Sequence, residues 1–175
     1  RLGGLRWPTA GLAAGAVAVA LGAVVLVGGG PGVQDVAAAA LRPPTAAIAP
    51  VAAGSKVLKE RVADVRFPNY LGKFGWEAVG TRTDEIDGRA TRTVFYEKGG
   101  RRIAYTVVSG AALDDPDAAS RATVEGVVLR SLRAKGLNVV TWRRRGHTCV
   151  LSSKDVPLKE LQTLAAWKGM GAVAF

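Results

Sequence analysis

From Trp76 to Leu151 the chain alternates apolar and polar residues in short runs, each closed by a turn signal. Trp76-Glu77-Ala78-Val79-Gly80-Thr81-Arg82 leads to Asp87-Gly88, and Thr91-Arg92-Thr93-Val94-Phe95-Tyr96 leads to Lys98-Gly99-Gly100. Arg102 to Val108 follows, rich in Val, Ile, Thr and Tyr. Two β-rich runs around a Gly-Gly loop predict a hairpin. After a loop over Gly110 to Ser120, three more strands are expected: Val127 to Leu132, Leu137 to Arg143, and His147 to Leu151, with turns at Lys135-Gly136 and Arg145-Gly146.

Helical spacing is confined to the flanks. Leu158, Leu161, Leu164 and Ala165 recur at intervals of three and four, which predicts a C-terminal helix opened by Pro157 with Asp155 as its cap. Val57, Leu58, Val62 and Val65 fit the apolar side of a short helix over Ser55 to Arg66. The expected fold is α+β: an antiparallel meander of about six strands with the C-terminal helix packed on one face.

The N-terminal pattern is different in kind. Leu12 to Val27 is an unbroken run of Ala, Gly, Val and Leu, and no charged residue or histidine occurs in the 28 positions from Trp7 to Gln34. A bilayer-spanning helix needs roughly 20 such residues. Pro8 suits the start and Gly28-Gly29-Gly30-Pro31 the end. Arg1 and Arg6 precede the run, so the positive-inside rule puts the N-terminus in the cytoplasm and the chain from Val33 outside. A cleaved signal peptide is the rival, with small residues at Ala37 to Ala40, but its apolar core is typically shorter.

These shifts divide the chain into three parts: residues 1–30 as anchor with a short cytoplasmic stub, 31–55 as linker, and 56–175 as an extracytoplasmic α+β domain. The linker holds four prolines and nine alanines in 25 positions and reads as a semi-extended tether unable to bury a core.

Charge and composition narrow the chemistry. Twenty-four basic residues oppose 14 acidic ones, for a net charge of +10. One cysteine excludes an intramolecular disulfide framework, and one histidine argues against triad hydrolysis. Neither a catalytic site nor a cofactor or metal site is expected. His147 and Cys149 lie two apart on a strand and share a face, which suits a thiol–imidazole pair or a redox sensor. The competing reading is a small buried hydrophobe in a central strand. With Trp142 they form the candidate sensing or ligand face.

Asp84, Glu85 and Asp87, and likewise Asp114, Asp115 and Asp117, bracket loops without the spacing of a calcium site. The glycine cluster at 28–30 lacks the Gly-Lys-Ser/Thr of a phosphate loop. Arg143-Arg144-Arg145 beside Trp142, and Arg101-Arg102, supply a basic face. Outside the cytoplasm, such a face suits anionic phospholipid headgroups or cell-wall polymers, not nucleic acid; a merely solvated face is the simplest alternative.

Phe67-Pro68-Asn69-Tyr70, then Phe74 through Asp84, resembles the outer domain of predicted membrane-anchored anti-sigma factors of high-GC Gram-positive bacteria. Gly88-Arg89, Thr93 to Tyr96, Arg102 to Val108, Val140 to Arg143, Gly146 to Leu151 and Leu164 to Trp167 continue the likeness. The resemblance implies a cytoplasmic sigma-binding module, one transmembrane helix, a tether and an outer sensing domain. Six residues precede Trp7, so sigma-factor binding is expected only through an upstream module missing from this chain. The lipid bilayer is the expected partner of residues 7–30. The alternative is an envelope-binding or structural domain without a transcriptional role.

Overall fold

The structure is a computed structural model that describes residues 32–117 and 119–169. Its centre is a seven-stranded antiparallel sheet. Strand β3 (Glu77–Ile86), β4 (Arg89–Lys98) and β5 (Arg101–Val108) form one meander, and β6 (Ser120–Val124), β7 (Val127–Ala134), β8 (Leu137–Arg144) and β9 (His147–Ser153) form another. They assemble in the order β3-β4-β5-β9-β8-β7-β6. A separate ribbon pairs β1 (Val57–Val62) with β2 (Val65–Pro68). The helices are α1 (Val33–Ala38), the single turn α2 (Leu71–Phe74) and α3 (Leu158–Ala165).

The α+β class and the antiparallel pairing agree with the sequence pattern, but the continuous six-stranded meander does not. After β5 the chain leaves the middle of the sheet, restarts at the far edge with β6 and works inward until β9 pairs with β5. Both strands explain why: six consecutive residues of each are buried, Ile103 to Val108 and Thr148 to Ser153. Strands apolar on both faces need neighbours along both edges and cover above and below.

Two covers supply this. On one face the ribbon β1–β2 and helix α3 bury Leu58, Val65, Phe67, Leu161 and Leu164 against Tyr96, Tyr105, Trp142, Cys149 and Leu151. On the other, Val33, Val36 and Ala37 of α1 meet Val108, Val139 and Val150, with Leu113 beside them. Helix α3 follows the expected stripe, with Leu161, Leu164 and Ala165 buried. Asp155 is not its cap: Pro157 occupies that position without a side-chain bond. Instead, Ser153 Oγ accepts the Asp155 and Val156 amides at 3.2 and 3.1 Å.

Two further expectations are corrected. Ser55 to Arg66 is a hairpin, because Leu58 and Glu60 alternate inward on β1 and Val65 and Phe67 on β2. Residues 31–55 are not a free tether over their length. Val36 is fully buried, and Thr45 and Ala46 donate their amides to Thr81 O at 2.9 and 3.0 Å while Thr81 donates to Ala46 O at 2.8 Å. This short bridge covers part of the outer edge of β3, a place where an unpaired strand invites association. Gly80 permits the approach, since a Cβ there would lie 2.5 Å from Pro44 Cβ. Among the described residues no helix is long and apolar enough to cross a membrane. The proposed transmembrane run lies outside them.

Candidate functional site

The largest polar concavity on the α1 face is a cleft of about 320 Å³ between the sheet and the loop after β5. Strand alternation builds it. Arg121 on β6 stands directly opposite Arg130 on β7, and Arg130 opposite Thr141 on β8. Two residues along β8, Arg143 faces Thr148 on β9. All five side chains therefore share the face that α1 covers further along the sheet. Val33, Leu113, Pro116 and Val128 complete an apolar wall.

Like charges directly opposite in an antiparallel pair oppose folding. Arg121 and Arg130 make such a pair, and the chain relieves it with one carboxylate. Asp115 accepts a hydrogen bond from Arg130 Nη2, and its other oxygen lies 3.8 Å from Arg143 Nη2. The loop carrying Asp115 is pinned at Leu113, whose amide donates to Thr148 Oγ1 at 2.7 Å and whose carbonyl accepts from Arg143 Nη2 at 3.4 Å. Arg121 is exposed and makes no hydrogen bond or ion pair among the described residues. Chemically this is a site for an anion: several fixed guanidinium donors, no reacting nucleophile, and an apolar rim.

The residues singled out from sequence lie on the opposite face. His147 and Cys149 share a side of β9, as alternation requires, and Trp142 is the cross-strand partner of Cys149. The structure thus brings the three to one face but shuts two of them away. Cys149 is wholly buried and Trp142 is 5% exposed, against Tyr105 at a ring separation of 5.2 Å. Burial pushes the Cys149 thiol up to about 11, only partly offset by the Tyr105 hydroxyl and the Arg144 charge. A thiol so shifted carries almost no thiolate near neutrality and is inert. His147 Nε2 lies 3.7 Å from Asp64 Oδ1 on the β1–β2 turn, and its Nδ1 is buried without a hydrogen-bond partner.

The run Arg143-Arg144-Arg145 is not one basic face. Arg143 points into the cleft, whereas Arg144 is buried on the other side and donates to Arg66 O at 3.2 Å. Arg145, in the turn, bonds Asp64 Oδ2 at 3.0 Å and holds that carboxyl below its ordinary range. Arg101 and Arg102 pair with Glu160 and Glu97 at 2.9 and 2.6 Å. Asp84 is likewise committed, to Arg82 at 2.6 Å. Among the described residues no group of three or more His, Cys, Asp or Glu side chains is placed to share a metal ion.

Sequence reasoning missed Arg121 and Arg130 because β6 was read as loop and Arg130 as one polar position among many. The available signal was Glu125-Gly126. Both residues have positive φ, 51° and 76°, the conformation of a two-residue hairpin turn that glycine favours at its second position. That turn forces Arg121 and Arg130 into register.

No family model matches the chain, and neither the curated proteins nor the solved structures searched give a match.

Proposed function

We propose that this chain is a membrane-anchored regulatory protein resembling an anti-sigma factor, with an extracytoplasmic domain that senses a condition of the envelope. Residues 7–30 cross the bilayer with the N-terminus inside, and any sigma-factor contact belongs to a module upstream of this chain. The observation that carries the reading is Val33. It lies within the uncharged stretch that ends at Gln34, yet it is 3% exposed in the second core and lines the arginine cleft. The apolar segment therefore leads directly into the folded domain and its anion site, an arrangement suited to reporting on the membrane surface.

A second feature supports a binding module over an enzyme. The aromatic residues that carry the resemblance, Phe67, Tyr70, Trp76, Tyr96 and Tyr105, are buried packing residues. Tyr70 donates to Leu164 O at 2.9 Å and Tyr96 to Pro68 O at 2.8 Å, tying α3 and the ribbon to the sheet. The motif marks a scaffold.

The test is made in the organism that carries the gene. A stop codon after Ser55 is compared with the intact gene by transcript sequencing, together with a reporter active only outside the cytoplasm fused at Phe175. Reporter activity and a shift in a discrete set of transcripts are expected. A cytoplasm-only reporter signal would reject the orientation. Unchanged transcripts with an outside signal would favour the envelope-binding alternative, for which the arginine cleft is the supporting observation.

A further inference from the structure

We infer that the cleft binds the phosphate group of an anionic phosphate ester, held by Arg121, Arg130 and Arg143, and that Asp115 occupies part of this site until the ligand displaces it. The inference rests on the membrane-anchored reading only for the source of the ligand, which is then a phospholipid headgroup in the leaflet beside residue 32.

The geometry names the chemistry. Asp115 sets one carboxylate between two guanidiniums, bonding Arg130 and lying 3.8 Å from Arg143. That is the position a bridging anion takes, and it is filled by a side chain 47% exposed on a loop, not by one buried in the core. A carboxylate supplies one charge and two oxygens. A phosphate ester supplies more acceptors, and arginine forks match phosphate as well as carboxylate. The surplus donor is Arg121, held opposite Arg130 by the strand register with no carboxylate of its own. A third guanidinium beyond what Asp115 satisfies is explicable if the intended anion is larger than Asp115.

The remaining lining sets the shape. Val33, Leu113, Pro116 and Val128 place an apolar rim around the guanidiniums, and Val128 is 42% exposed. A free inorganic ion has no use for such a rim. An ester with a hydrocarbon or glycerol arm does. Val33 adds position, since the uncharged stretch ends one residue after it and brings the cleft within a few residues of the bilayer.

The test uses the full chain in neutral maltoside micelles, titrated with dihexanoyl phosphatidylglycerol and with glycerol 3-phosphate and followed calorimetrically. Saturable binding of at least one ester is expected. Arg121→Gln and Arg143→Gln should each weaken it about tenfold or more, the effect of losing one charge-assisted hydrogen bond. Asp115→Asn should tighten it, because the competing carboxylate is gone. Arg121 lies on an edge strand and Arg143 is 60% exposed, so both variants should keep the wild-type melting midpoint.

Stronger binding of the lipid assigns the membrane as source, and stronger binding of glycerol 3-phosphate assigns a soluble ester; the arginine site stands in both cases. Absent binding, binding unmoved by the arginine variants, or weaker binding by Asp115→Asn would overturn it. The reporter at Phe175 reads orientation independently. An outside signal without ester binding defeats this inference alone, and ester binding with an inside signal defeats the orientation alone.

Discussion

Trp142 and Cys149 are direct partners across the β8–β9 ladder, and both are sealed beneath the α3 cover. With the thiol pushed up to about 11 by burial, Cys149 should react slowly with a thiol reagent in the folded chain and quickly in denaturant. Cys149→Ser places a stronger hydroxyl dipole among apolar side chains and should cost about 1–3 kcal/mol in unfolding free energy. Fast native labelling with unchanged stability of the serine variant would return Cys149 to the sensor role.

Arg82 and Asp84 predict an acid sensitivity. The Arg82 guanidinium, with Arg42 behind it, lowers the Asp84 carboxyl below its ordinary range. The folded value is thus below the unfolded one, so the stabilisation is complete above the unfolded value and is lost as pH falls through the folded one. The melting midpoint should drop between about pH 5 and about pH 3. Asp84→Asn should be less stable at the higher pH and should lose less on acidification. Equal losses for variant and wild type would remove this pair from the explanation.

Gly80→Ala tests the bridge on the edge of β3. The new methyl would meet Pro44 Cβ at 2.5 Å, and residues 44–46 must move away. A loss of about 1–3 kcal/mol is expected, typical of overfilling a packed site. Amide exchange should accelerate at Thr45, Ala46 and Thr81, whose bonds form the bridge.

Val36→Asp tests whether the segment after residue 32 belongs to the domain. Val36 is fully buried against the second core. A charge there drives α1 off the sheet instead of entering it, so amide protection over residues 33–41 should fall at least about tenfold while β5 and β9 stay protected. Val36→Ala, which removes methyl groups only, should cost about 1–2 kcal/mol and leave α1 docked. Unchanged protection in the aspartate variant would show that α1 contributes nothing to the fold.

What the sequence by itself determined are the features written in neighbouring residues. Asp87-Gly88, Gly99-Gly100, Lys135-Gly136 and Arg145-Gly146 each close a hairpin, because positive φ is a local demand that these residue types meet locally. The same holds for the apolar stripe of α3 and for the burial of Cys149, which followed from β9 being apolar on both faces. Where a turn lacked glycine the reading failed: Ala63, at φ 49°, closes the β1–β2 hairpin with no local mark. Only the tertiary structure decided which strands lie side by side. Partner choice depends on burying two faces at once, so β9 comes to rest beside β5, across the sheet from the chain order. From that choice follow the edge position of β6, the docking of α1, the parting of Arg143 from Arg144, and the meeting of Arg121, Arg130 and Asp115. A cleft made of residues from a loop and three strands has no signature in any one stretch, because the distances that define it exist only once the sheet is assembled.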